Sequence, residues 1–409
     1  MSNIDQIVAD IRHDLGGTGW FGATTSGDIN NADHQIEGLN AQDANAVVAK
    51  MSDGDLKSWA DNANSWTPWD GVSGGDKRDL LNNLAGKLDG QQLARVAKAF
   101  GLNDVTNAVI SHGSAETRAQ YVQALAGQIN ADPQIHAGVG SSTTTYGNDA
   151  AQSAVKVLAS LSNNQSAFDQ AVTSLNDAGK LNDVLKVAAG RSDANVYTGG
   201  LSLPDVSYDP SQLTRIINTA STSTAINVRT DVFKAAMPQL GDMQQNSNSL
   251  VTSINTSADG AANSTAKAMS QLLTPDQARA AGLVPNVPVK PATASLQQNV
   301  TQAQQHGAVW VTKDMVPNKH PWDYKQQGAQ YQDFGNFNFG VVEAAANVPE
   351  NIALRGAGWA QQQAHTSKPD WGNPWDPNGG PYGDDPVDQA QIKAGYDYYN
   401  SGAYRLWSQ

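Results

Sequence analysis

The chain contains no cysteine. Disulfides, thiolate metal sites and cysteine nucleophiles are therefore excluded. Long apolar runs are missing too, and no stretch approaches the ~18 residues that a membrane span needs. Charged residues make up only 16% of the 409 positions, and they are lopsided, with 26 Lys+Arg against 39 Asp+Glu and a net charge of −13. An acidic field of that size repels phosphate backbones, so a dedicated duplex-DNA binder is not expected; a local basic cleft would still leave a nuclease open. The opening MSNIDQIVADIRHDLGG has neither a basic n-region nor an apolar h-region. A Sec signal is thus not expected, and export would need machinery that reads something else. His-x-x-x-His, Gly-x-Ser-x-Gly and P-loop patterns are absent as well. A calcium loop starting at Asp376 fails at its twelfth position, where Val387 replaces the bidentate Glu. No metal and no cofactor are expected.

What is present is mainly helical pattern. Hydrophobic residues are 39% of the chain, which predicts a thin core spread over many short helices. Ile4, Ile7, Val8, Ile11 and Leu15 form one stripe at helical spacing, as do Leu80, Leu81, Leu84 and Leu88. β-Branched alternation is hard to find. Two segments look alike: QQLARVAKAFG from Gln91 followed by a helix opening at Arg118, and SQLTRIINTAS from Ser211 followed by one opening at Arg229. NDVLKVAAGRS around Leu185 reads as a degenerate third copy, and such helix pairs suggest stacked units. A long thin helix is predicted across Asn246–Lys267, with Leu250, Ile254 and Ala258 on its stripe. After it, Thr274 caps a helix whose first residue is Pro275. VPNVPVKPATAS holds three prolines in twelve residues and reads as a linker. The predicted organisation is a helical N-terminal domain at 1–140, a helical middle domain at 141–283, a Pro-rich linker at 284–296 and a C-terminal domain at 297–409.

Composition changes after the linker. Trp310, Trp322, Trp359, Trp371, Trp375 and Trp407 are six of the ten tryptophans. WDYK (Trp322, Asp323, Tyr324, Lys325) supplies an acid, a cation and two aromatics, and YQDFGNFNFG follows closely. If Asp333–Phe339 is extended, Asn336 and Asn338 share one face and could bridge a polar ligand; the alternative is a turn feeding a helix near Val341. DDPVD reads as a helix start, with Asp385 as cap, Pro386 in first position, Asp388 in third, and Asp384 left over. Carboxylates among indoles suit glycan cleavage, in which one acid protonates the leaving oxygen and another activates water. The eligible acids are Asp323, Asp333, Glu343, Glu350, Asp370, Asp376 and Asp384, and Glu343 in GVVEAAAN has the apolar setting of a general acid. RNA cleavage would instead draw on His365, Lys325 and Arg355.

WDYKQQGAQYQDFGNFNFG, ALRGAGWAQQQAHTSKPDWG and PYGDDPVDQAQIKAGYDYY, taken together, resemble the polymorphic toxin type 44 family over about residues 308–399. The resemblance implies an interbacterial toxin tip, an immunity protein as partner and a specialised secretion system. It marks Trp322, Asp323, Tyr324, Lys325, Asp333, Asn336, Asn338, Gln361, Asp384, Asp385 and Asp388 as pattern positions. The chain departs from the pattern at Glu343, where a small residue is expected, and at Asn347, where Gly is usual. The expectation is a mainly α protein: a repeat-like helical N-terminal region, then a compact helical toxin domain with one short extended element. Its function would be peptidoglycan glycan hydrolysis in a target periplasm. Asp323, Asp333, Lys325, Asn336 and Glu343 would be catalytic. Trp322, Tyr324, Asn338, Gln361, Trp371, Asp384, Asp385 and Asp388 would bind substrate. An RNase acting in the cytoplasm and a non-enzymatic adaptor with an aromatic binding face are the alternatives.

Overall fold

The computed structural model describes residues 3–16, 26–64, 74–138, 141–198, 201–249, 251–377 and 379–407. Nineteen α-helices and four strands are found among them, so the fold is mainly α as the periodicity predicts. Contacts divide the chain into two compact units, Met1–Ser192 with Ser211–Val232, and Asp193–Pro210 with Phe233–Gln409. This differs from the segmentation read in the sequence. The proline-rich stretch 284–296 lies within the second unit, where Val284, Ala294 and Leu296 are buried.

The first unit is built from short helices that start on side-chain caps. Asn40, Asp89, Ser114, Asn148 and Asn164 each accept a bond from the backbone N–H three residues on. Each satisfies one of the four N–H groups that a helix start leaves open. Both look-alike helices are present, Gly90–Phe100 and Ser211–Ser221, and so are their partners, Ala115–Leu125 and the helix that begins at Ile226. The strands are the feature the periodicity missed. Pro133–Gly138 pairs antiparallel with Ser141–Tyr146 in this unit, from Pro133 opposite Tyr146 to Gly138 opposite Ser141. Arg191–Thr198 and Leu201–Tyr208 are hydrogen-bonded to each other, and residues 193–208 of this pair belong to the second unit. The first pair buries no residue, so there is no inward apolar row to read.

In the second unit the predicted long helix is two helices, ending at Ser247 and restarting at Thr252, and Leu250 lies outside the described residues. Thr274 and Gln277 form a capping box with Pro275 at the first turn, as predicted. The chain's aromatic end is tied to these helices. Arg405 donates to Gln244 (2.7 Å) and pairs with Asp259 (2.8 Å), and Trp407 stacks on Phe233 at 6.2 Å.

The stretch expected to be extended is helical instead. Gln332–Ala345 is a single α-helix, here the glycine-bearing helix. Phe337 and Phe339 alternate, but among the buried residues Phe334, Phe337, Asn338, Val341, Val342 and Ala345 repeat at i, i+3, i+4, i+7, i+8. That longer 3.6 period outweighs the local period of two. The second helix of the crossing is Pro386–Asn400, here the tyrosine helix, with Tyr396, Tyr398 and Tyr399 buried. The two touch backbone to backbone. A Cβ on Gly340 would lie 2.0 Å from the Ile392 carbonyl oxygen, and one on Gly395 would lie 2.2 Å from that of Phe337. Each glycine weakens its helix by about 1 kcal/mol relative to alanine, which the close approach of two aromatic-rich faces offsets. Gly340→Ala is therefore expected to destabilise the second unit by about 1–3 kcal/mol, measured by denaturant unfolding followed through tryptophan fluorescence. Gly335→Ala is the control: a Cβ there meets nothing within 4 Å, and the change is expected to be neutral or stabilising.

Candidate functional site

The tyrosine helix begins as its sequence predicts. Asp385 is its N-cap and accepts from the Val387 N–H at 2.9 Å, with Pro386 in the first turn. Asp384, one residue outside, is only 2% exposed. Its Oδ2 accepts from Gln389 Nε2 at 2.9 Å and its Oδ1 from the Asp385 N–H at 3.0 Å. Burial raises its carboxyl to about 6; the Gln389 bond opposes that rise, and the charges of Asp388 and Asp385 add to it. Asp388 accepts from Gln332 Nε2 at 3.2 Å across to the start of the glycine-bearing helix. It is also raised, first by burial, with Asp385 and Asp333 pushing it up and Lys325 and the Gln332 bond holding it down. The parallel start of two helices thus gathers Asp384, Asp385, Asp388, Asp333 and Lys325. Asp333 and Lys325 are exposed, Asp385 and Asp388 half-buried, and Asp384 is buried.

The other predicted residues lie elsewhere. Asp323, expected as an acid/base group, is 8% exposed and accepts from the Lys319 N–H at 2.7 Å. It closes the turn in which Lys319 has φ 67, and its carboxylate serves that backbone. Trp322 is buried edge-on to Trp310 at 5.5 Å. Tyr324 packs on Phe334 at 5.0 Å, and its hydroxyl accepts from Asn299 Nδ2 at 2.8 Å. The same Asn299 amide donates to Asn338 Oδ1 at 2.7 Å, and Asn338 is fully buried. These three are interior packing, not a binding face. Asn336 and Asn338 do not share a face, because two helical residues point about 200° apart. Asn336 is half-buried, and its Nδ2 has no partner among the described residues. Gln361 accepts from Thr366 just past the helix Glu350–Gln363. Trp371 is 8% exposed beneath Lys368, whose Nζ sits 4.6 Å from the ring centre. Arg355, from the RNase set, donates to the carbonyls of Pro374 and Asp376 and stacks on Tyr382 at 4.4 Å.

Glu343 forms a separate site. It is 2% exposed, accepts from Thr312 Oγ1 at 3.1 Å, and is pushed by burial to about 7. Ten residues along the helix from Asp333, it stands about 15 Å away from the acidic gathering. Asn347 has φ 60, a left-handed conformation that asparagine tolerates. Among the described residues no group of three or more His, Asp or Glu could hold a metal ion.

Two side chains that matter were not singled out from sequence. Gln332 gave no local signal, since its partner is 56 residues away. Gln389 did: it lies on the same face as Ile392, Tyr396 and Tyr399, all buried, and a polar residue inside an apolar stripe marks a buried hydrogen bond. No curated protein matches the chain in sequence. Residues 294–401, the end of the chain where the resemblance lies, match the family described as Bacterial toxin 44.

Proposed function

We propose that the toxin domain hydrolyses a glycan of the bacterial cell wall, with Asp384 as general acid and Asp388 as its partner base. Asp384 gives its proton to the glycosidic oxygen as the bond to the anomeric carbon breaks. Asp388 takes a proton from the water that attacks that carbon. Lys325 and Asp333 are exposed beside Asp388, where they would orient the hydroxyls of the polymer. The observation that carries this reading is the buried Asp384 carboxyl, raised to about 6 beside a second carboxylate whose charge opposes its ionisation. A carboxyl in that state is still partly protonated near neutral pH, as a general acid requires. An all-acidic gathering with one lysine, on a chain of net charge −13, disfavours a phosphodiester substrate.

The toxin family implies an immunity protein as partner. No described helix is long and apolar enough to cross a membrane. In this reading the protein acts in the target periplasm, where the wall glycan is reached. The test is expression of the full chain in a bacterial host, with and without an appended periplasmic signal, together with incubation of the purified chain with sacculi. Lysis only on export, with release of reducing ends, is the expected result. Killing only from the cytoplasm, with RNA degraded, would replace this reading by the RNase one.

A further inference from the structure

Gln389 has a buried carbonyl with nothing to accept among the described residues. Its amide nitrogen is fully used, donating to Asp384 Oδ2 at 2.9 Å and to the Leu354 carbonyl at 3.0 Å. Both partners are acceptors, which fixes the orientation of the amide: flipping it would set an oxygen against two oxygens. The Oε1 atom is then left without a partner among the described residues, on a residue only 4% exposed. A buried acceptor left unsatisfied is costly, and native proteins keep few of them. The position above it is a glycine. A Cβ built on Gly380 would meet Gln389 Oε1 at 3.8 Å and the Tyr382 ring at 3.4 Å, and Gly380 itself is exposed. Oε1 is itself closed off from solvent, and a residue without a side chain, Gly380, is the surface position next to it, beside the carboxyl that the amide holds.

We propose that Gln389 is a substrate-binding residue, its Oε1 accepting a hydrogen bond from a hydroxyl or acetamido N–H of the saccharide cleaved at Asp384. The inference rests on the glycan reading and sharpens it. One side chain orients the acid with its nitrogen and anchors the sugar with its oxygen, so sugar and carboxyl are held in register. The site asks for a donor. A ligand face carrying only acceptors, such as a phosphodiester, leaves Oε1 unsatisfied.

The test uses the full chain carrying Asp384→Asn and, as probe, the β-1,4-linked tetramer of N-acetylglucosamine. The Gln389 side-chain amide resonances are expected to shift on titration, and adding Gln389→Met should weaken tetramer binding about tenfold. Gly380→Val gives a second variant that roofs Oε1 without touching either bond of the amide, and it too should weaken binding. In the otherwise native chain, Gln389→Met removes a donor to Asp384, so the high-pH limb of sacculus hydrolysis should move upward, which lost packing alone would not do. Failure of the tetramer to bind overturns the inference. Binding with Gln389 resonances unmoved and affinities unchanged also overturns it, leaving Oε1 to an ordered water. If Asp384→Asn abolishes hydrolysis while Gln389→Met leaves both affinity and pH profile alone, the inference falls and the glycan reading stands. If the tetramer binds through Gln389 but Asp384→Asn still hydrolyses sacculi, the sugar site stands and the acid assignment falls.

Discussion

Asp384→Asn is expected to lower the rate of sacculus hydrolysis by about 10²–10⁴-fold, the usual loss when a positioned general acid is removed. The replacement is nearly isosteric. Its carboxamide oxygen can still accept from Gln389 Nε2, which now stands 2.9 Å from Oδ2, while its Nδ2 takes the place of the Oδ1 that accepts from the Asp385 N–H, so the fold should hold at a cost of about 1–3 kcal/mol. What asparagine lacks is the transferable proton. In the native chain the acid is raised to about 6; it is protonated below that value and loses its proton above it. Activity should therefore decline as pH rises through about 6, and the residual activity of Asp384→Asn should lack that limb. Asp323→Asn is the matched comparison. Its carboxylate accepts from the Lys319 N–H at 2.7 Å inside a turn, so this change should cost stability, on the order of 1 kcal/mol, and leave the rate near that of the parent. The rates of these two variants decide between the site read from WDYK and the one built at DDPVD. Equal loss of rate in both would sink the Asp384 assignment.

The reasons for these successes and failures are local. DDPVD and TPDQ were legible because a helix cap is a contact between residues two or three apart, and the same side chains that signal it in sequence make it in space. The Pro133–Gly138 hairpin was not legible, because its strands bury no residue and leave no alternation to find. YQDFGNFNFG was misleading for another reason. Two phenylalanines at period two invite a strand, while Gly340, one of the two glycines that look like turn formers, is a point where two helix backbones meet. That partner, around Ile392, is some fifty residues downstream, so no window on the stretch itself could reveal it. The site followed the same rule. Asp384, Asp385 and Asp388 are adjacent in sequence and were recognisable as a group. Their grouping with Lys325 and Asp333 depends on how the tyrosine helix lies along the glycine-bearing one. Asp323 sits close to both in sequence yet turns inward, because the backbone at Lys319 takes its carboxylate.

Glu343 tests the remaining acid from the sequence reading, and it does so through stability rather than rate. Its folded-state value is raised from 4.5 to about 7, first by burial, with the Thr312 bond only partly opposing. A carboxyl raised on folding binds its proton more tightly in the native chain than in the unfolded one. The penalty is thus absent below about pH 4.5, grows as the unfolded chain ionises, and is complete once pH passes the folded value near 7. Over that window the native second unit is expected to lose roughly 3 kcal/mol on account of this group. Glu343→Gln keeps an oxygen for Thr312 Oγ1 and carries no charge. Urea unfolding should find it close to the parent at pH 4.5 and markedly more stable at pH 8. Asp384, raised to about 6, adds a smaller loss of the same sign, which Glu343→Gln leaves in place, so the two carboxyls can be separated variant by variant. A stability difference independent of pH would mean that Glu343 is not buried as a neutral acid. A collapse of hydrolysis in Glu343→Gln would move the catalytic centre about 15 Å along the helix, away from the acidic gathering. Unchanged hydrolysis with a flattened pH–stability curve would leave Glu343 as a buried acid of the fold and Asp384 as the acid of the reaction.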